Sequence, residues 1–216
     1  MSGSTPFLRR LQSIVPLKDK AVLDIGCGEG LWTKELAHHC RRVVAIDPDR
    51  TALRTALKNN GADNISYAHG RAERIAFPNA SFDAVVFAKS FHHVPPKSMP
   101  RALDEALRVT KPKGCLVFIE LGWAGSFYEA ELQFGCDHDD IRTIKAYAYQ
   151  LMLSERRMKE IAEWTEVLSY QYRSLQEFID NEQPRRGTRP EWKRFLARHR
   201  QRLTAEERIN VFRKRR

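Results

Sequence analysis

Residues 22–30 read VLDIGCGEG: a short apolar run, an acid, then glycines at positions 26, 28 and 30. The apolar run suits a strand, and LWTKELAHH after it carries apolar residues at three-to-four spacing, so the pattern is strand, bare turn, helix. A turn without side chains lets a ligand lie against the backbone, as phosphates, dinucleotides and other adenosine compounds do. The dinucleotide fingerprint G-x-G-x-x-G would need its last glycine where this chain has Leu31. Asp24 lies within the stretch, where its charge repels a pyrophosphate and attracts a cation. Asp47, 21 residues after Gly26, ends the next apolar run and is placed to accept hydrogen bonds from two ribose hydroxyls. The combination favours a ligand with a ribose and a positive charge but no pyrophosphate.

Outward from this turn, short apolar runs alternate with helical patterns, the signature of a parallel α/β sheet. The expected strands are AVLDI (21–25), RVVAI (42–46), NISYA (64–68), FDAVVF (82–87) and CLVFIE (115–120). Continuous runs such as VVF and LVFI suit strands covered on both faces. DRTALRTALKN is expected to be a helix ended by Asn60-Gly61, and PRALDEALRVT one ended by Pro112. PFLRRLQSIVPL reads as a short amphipathic helix stopped near Pro16. Residues 126–163 read as aromatic-rich helices, 164–173 as a strand, and Ser174 with Glu177 as a capping box opening a further helix. A basic helix is expected near 191–202. Thr204 and Glu207 offer a helix cap near the C-terminus, but the branched and aromatic residues of RINVFRKRR favour a closing strand.

The chain has 216 residues, 42% hydrophobic and 30% charged, which reads as one soluble domain, and no run reaches the length of a membrane span. No signal peptide is read at the N-terminus. Cys27, Cys40, Cys115 and Cys136 are widely spaced without a CxxC pair, fitting reduced thiols in a cytoplasmic protein. The net charge of +10 falls entirely in residues 185–216, which hold 13 Lys/Arg against 3 acids. Such a tail suits RNA, anionic lipid, an anionic substrate or simply a solvated helix face.

VLDIGCGEG, AIDPD, FPNASFDAVVFAKSFHHV and RALDEALRVTKPKGCLVF, in this order and spacing, resemble a class I S-adenosylmethionine-dependent methyltransferase. The nearest likeness is to the small-molecule branch that includes ubiquinone/menaquinone C-methyltransferases and many O- and N-methyltransferases; it covers roughly residues 20–120. The resemblance implies a Rossmann-like α/β sheet of seven strands, mostly parallel with the last antiparallel, and added helices after strand five. It implies S-adenosylmethionine as cofactor and a small-molecule methyl acceptor. A single domain over residues 1–216 is expected: a cofactor-binding core at 17–120, a helical lid or substrate region at 121–163, then closing strands and the basic helix at 164–216. Carried over by position, Asp24 and the turn of Gly26, Cys27, Gly28 and Gly30 lie beside the methionine part of the cofactor. Asp47, followed by Pro48, holds the ribose; Ala72, with Arg71 or Glu73, lies near the adenine; Ala88 and Lys89 border the methyl-transfer site. Relatives often carry an acid where this chain has Arg71, and arginine cannot accept a hydrogen bond from the adenine amino group.

Methyl transfer from a sulfonium is an in-line displacement, so the protein must align the two groups and exclude water; a hydroxyl or protonated amine also needs a base. His92 and His93, just after strand four, are the candidate bases, or else they pack over the sheet edge. Glu120, at the end of strand five, orients an amine, acts as a base, or caps a helix. CDHDD (136–140) offers metal-ligating residue types, but acids opening a helix account for them more simply, and no metal is expected. Cys27 reads as a small filler in the turn. Aromatic residues at 123–149 and in the first helix serve either as a lid or as core. An RNA methyltransferase using the basic tail, or a protein that binds the cofactor without catalysis, are the alternatives. The segment AKSF, in place of Asn/Asp-Pro-Pro-Tyr, argues against base methylation.

Overall fold

The computed structural model describes residues 6–59, 62–136 and 141–216. The expected stop at Asn60-Gly61 and all of CDHDD except Cys136 lie outside the described residues. The elements run α1 (Pro6–Ile14), β1 (Ala21–Ile25), α2 (Leu31–Ala37), β2 (Arg42–Asp47), α3 (Arg50–Asn59), β3 (Ile65–His69) and β4 (Phe82–Ala88). Then come α4 (Met99–Val109), β5 (Thr110–Leu121), α5 (Ser126–Phe134), α6 (Ile141–Ser154), β6 (Met158–Gln171), α7 (Leu175–Glu182), α8 (Arg189–Arg198) and β7 (Arg202–Lys214). They form a seven-stranded sheet of order β3-β2-β1-β4-β5-β7-β6. β1 pairs in parallel with β2 and β4, β2 with β3, and β4 with β5, while β7 runs antiparallel to β5.

All five expected strands of the first half form within a few residues of their predicted bounds. β5 begins at Thr110, so Pro112 lies inside that strand and does not end α4, which stops at Val109 before an extended Thr110. The helical reading of 126–163 runs too far: β6 starts at Met158, not Trp164. Its first residues place Met158, Ile161 and Trp164 at a three-residue spacing that mimics a helix. The C-terminus is the strand, with no helix at Thr204.

The chain divides into two compact units: one of the residues up to Glu120, 146–164 and 209–216, the other of 121–145 and 165–208. In the first, β1 and β4 are buried along almost their whole length, as central parallel strands require. One face of the sheet packs Val22, Ala84, Val86 and Val117 against Phe7, Leu8 and Leu11 of α1 and Leu36 of α2. Phe7 sits edge-on to Trp32 at 4.9 Å and stacks on Trp164 at 6.1 Å, so this aromatic of the first helix belongs to the core. The alternate residues Phe87 and Phe118 stack at 5.2 Å, with Phe91 edge-on to both. The second unit has its own cluster: Phe134 of α5, Tyr172, Phe178 of α7, and Phe195 and Leu196 of α8. No described helix is long and apolar enough to cross a membrane.

Candidate active site

β1 ends at Ile25 and the backbone turns at once. Gly26 N–H donates to Ile46 O at 2.8 Å, and Gly30 N–H to Cys27 O at 2.9 Å, after which α2 begins. Gly26 has φ +74°, and a Cβ there would stand 2.5 Å from Ser90 Cβ, so only glycine fits. The Ser90 hydroxyl donates to Ile25 O at 2.5 Å, tying the segment after β4 to the end of β1. Asp47, at the end of β2, accepts from Gly28 N–H at 2.8 Å and from Asp49 N–H at 2.7 Å, one bond on each oxygen. A carboxylate has about four lone-pair sites, so two stay open after both backbone bonds are made. Asp24 is wholly buried beneath the turn. The Thr33 hydroxyl donates to its Oδ2 at 2.6 Å, and Oδ1 has no hydrogen-bond partner among the described residues. Burial pushes its carboxyl up to about 6; the Thr33 bond opposes this and the Asp47 charge adds to it.

A cavity of about 440 Å³ opens at the C-terminal ends of β1, β2 and β4, within the usual range for small-ligand sites. Of the residues named from the sequence, Gly26, Gly28, Asp47, Pro48, Arg71, Ala72, Glu73, Lys89 and His93 line it. Asp24, Cys27, Gly30 and Ala88 do not. Cys27 packs on Ala45 and Leu53 as a filler, its thiol pushed well up by burial and by the Asp24 and Asp47 charges. Ala88 joins the apolar face of the sheet. Lys89 lines the cavity with φ +55°, a backbone conformation few side-chain-bearing residues adopt. His92 and Glu120 lie off the cavity, both buried, with His92 Nδ1 hydrogen-bonded to Glu120 Oε2. The His92 and His93 rings lie 4.1 Å apart.

Sequence reasoning passed over Ser90 and Thr33. Ser90 shares the segment KSFHHV with the candidate histidines, and Thr33 places a hydroxyl in the first turn of α2; neither pattern says which distant partner the hydroxyl meets.

A bare turn after the first strand, an acid at the end of the second, and the order 3-2-1-4-5-7-6 with an antiparallel seventh strand define the class I S-adenosylmethionine-dependent methyltransferase fold. Residues 22–114 match the family described as "Methyltransferase domain". An uncharacterized methyltransferase of Mycobacterium tuberculosis is 32% identical over 167 residues, 73% of this chain and 63% of that protein. Demethylmenaquinone methyltransferase of Geobacillus stearothermophilus is 34% identical, over 48% of this chain and 46% of its own. The solved YcgJ protein of Bacillus subtilis superposes with a TM-score of 0.65 at 17% identity, covering 97% of this chain and 98% of that one. The chain spans about half the length of the curated relatives it matches, from 46% to 63% in these two.

The cofactor of this class is S-adenosylmethionine, and the residues present fit it. The Gly26 cradle would be filled by any Cβ, Asp47 keeps lone-pair sites open at the cavity wall, and a buried Asp24 oxygen has no hydrogen-bond partner among the described residues.

Proposed function

We propose that this chain binds S-adenosylmethionine in the cavity of its first unit and transfers the methyl group to a small-molecule acceptor. The observation that carries the reading is Asp47: two backbone N–H donors fix its carboxylate at the cavity wall with lone pairs to spare for two ribose hydroxyls. In this reading Gly26 and Gly28 pass the cofactor along bare backbone, with the Asp24 charge beneath its cationic methionine end. Arg71, Ala72 and Glu73 wall the adenine, with Glu73 or a backbone carbonyl taking the place of the acid that relatives carry at position 71. Lys89 and His93 border the methyl end. The cofactor supplies an electrophilic methyl on a cationic sulfur; the chain orients it and keeps water out. Residues 17–120 form the cofactor core.

Two relatives bear names with small-molecule acceptors: the demethylmenaquinone enzyme, and the phthiotriol/phenolphthiotriol dimycocerosates methyltransferase of Mycobacterium leprae, 29% identical over 127 residues. Charge also favours a small acceptor over RNA. The second unit holds much of the basic C-terminal segment, yet it has twelve Lys/Arg and twelve Asp/Glu in all, no net charge to draw a polyanion. The test is mass spectrometry of a cell extract incubated with the protein and methyl-labelled cofactor. A labelled small metabolite is expected; label confined to RNA overturns the reading.

A further inference from the structure

Sorted by unit, the charge of the chain lies in the first, which holds 25 Lys/Arg against 15 Asp/Glu and so carries the whole net +10. Much of it gathers at the strand ends opposite the cavity, where bonds join neighbouring strands into one edge. Arg41 and Arg42, opening β2, donate their backbone N–H groups to Lys20 O just before β1. Ala21 N–H reaches Asp83 Oδ2 at the start of β4, and Lys111 Nζ of β5 pairs with the same oxygen at 2.9 Å. Lys214, ending the antiparallel β7, donates its ammonium to Thr110 O at 2.7 Å. Arg215 N–H then reaches Arg157 O, just before β6, at 2.8 Å. The edge thus crosses β2, β1, β4, β5, β7 and β6 in turn, roughly 24 Å at about 4.8 Å per strand. Its acids are partly engaged within it: Asp83 holds Lys111, and Asp104 and Glu155 both hold Arg157. Arg41, Arg42, Lys113, Arg156, Arg215 and Arg216 are exposed and make no ion pair among the described residues. Asp19 and Asp63, also exposed, offset only part of that charge.

Two apolar side chains accompany these cations. α3 and α6 finish at this edge, since β3 and β6 start from it, and each leaves a leucine of its last turn in water: Leu57, 59% exposed, and Leu153, 43% exposed. We propose that the first unit docks on an anionic phospholipid surface through this edge, with the cavity, at the far ends of the strands, turned away from the bilayer. Basic side chains there meet lipid phosphates while the leucines enter the headgroup boundary, and charge and apolar contact together hold a protein where one alone is marginal. Single-stranded nucleic acid would need exposed aromatic platforms besides charge. Phe77 and Phe82, aromatics of the same edge, instead pack edge-on to each other at 5.2 Å, and Phe82 is fully buried. No cavity residue takes part, so the docking surface stands apart from the methyl-transfer reading.

The test is flotation of the full chain with vesicles of phosphatidylcholine alone and of equal parts phosphatidylcholine and phosphatidylglycerol, at about 0.1 M and about 1 M salt. Flotation with the anionic vesicles at the lower salt is expected, and its loss at the higher. Arg41→Gln with Arg42→Gln, and separately Arg215→Gln with Arg216→Gln, are each expected to lower the partition coefficient about 25-fold, at about fivefold per arginine. Leu57→Ser with Leu153→Ser is expected to lower it about tenfold with the salt dependence unchanged. Lys193→Gln with Arg194→Gln, exposed on α8 in the second unit, is expected to stay within about twofold of wild type. Circular dichroism melts confirm that each variant is folded, and the two arginine pairs serve as independent readouts. Equal flotation with both vesicle types, or none with either, overturns the proposal. So does unchanged partition in both arginine pairs, or an equal loss in the second-unit pair. Salt-dependent binding of a fluorescent single-stranded RNA by a chain that ignores anionic vesicles assigns the edge to nucleic acid and overturns the lipid surface.

Discussion

At Gly26 any side chain would collide with Ser90, and at Asp47 the carboxylate is already committed to two backbone donors; around the cavity, the path of the backbone itself is specified. The second unit is held differently. Phe178 is fully buried, edge-on to Tyr172 at 5.4 Å, and Phe195 meets Phe134 at 5.1 Å, so shape and apolar volume are what matter there. Backbone cradles accept one ligand geometry, whereas apolar packing tolerates exchange of side chains of similar volume. Backbone geometry therefore constrains what the first region can bind in a way that the apolar packing of the second does not.

Substitutions can break this contrast. The largest effect is expected from Phe178→Ala, at about 3–5 kcal/mol of stability by chemical denaturation, with cofactor affinity of the remaining folded protein unchanged; a large loss of that affinity would mean the two regions are not independent. Asp24→Asn comes next. Because burial raises the Asp24 carboxyl to about 6, the folded chain keeps a proton that the unfolded chain releases, so this group's contribution to stability falls as pH rises from about 4 to about 6 and stays low above. Asp24→Asn is thus expected to make the cofactor-free protein more stable at neutral pH, by up to about 3 kcal/mol, with the gain vanishing near pH 4 while cofactor binding weakens. Thermal melts at the two pH values check this, and a variant destabilised equally at both refutes it. Asp47→Ala is expected to cost about 1–3 kcal/mol of cofactor binding, read by calorimetry. The smallest effect belongs to Ser174→Ala: the Ser174 hydroxyl accepts from Glu177 N–H at 3.1 Å, and its loss should cost about 1 kcal/mol of stability and nothing in cofactor affinity.

The same contrast explains what could be read from the sequence. Glycines, acids and buried strands leave local marks, because the constraint acts within a few residues of the letter that meets it; β1, β2 and β4 and the turn were legible for that reason. The start of β6 was not, since Met158, Ile161 and Trp164 keep a helical spacing while pairing at the edge of a sheet. His92 and Glu120 were each singled out, but their pairing across 28 residues depends on how β4 and β5 end side by side, which periodicity does not encode. The capping box at Ser174 was visible, though the Glu177 carboxylate accepts from Arg173 N–H and not from the cap residue's own.

Arg108 has a consequence for how such a site can change. From α4 its guanidinium donates to Phe77 O at 2.8 Å, Ile75 O at 2.8 Å and Asn79 Oδ1 at 2.9 Å, and the Glu105 carboxylate beside it receives Ile75 N–H at 2.8 Å. The segment that carries Arg71, Ala72 and Glu73 to the cavity therefore continues into a loop pinned from behind, by side chains that never face the ligand. Cavity-facing letters can then be exchanged while the track beneath them stays put. An arginine can stand where relatives often carry an acid, and ligand preference can drift by single substitutions without the fold having to be rebuilt around each one.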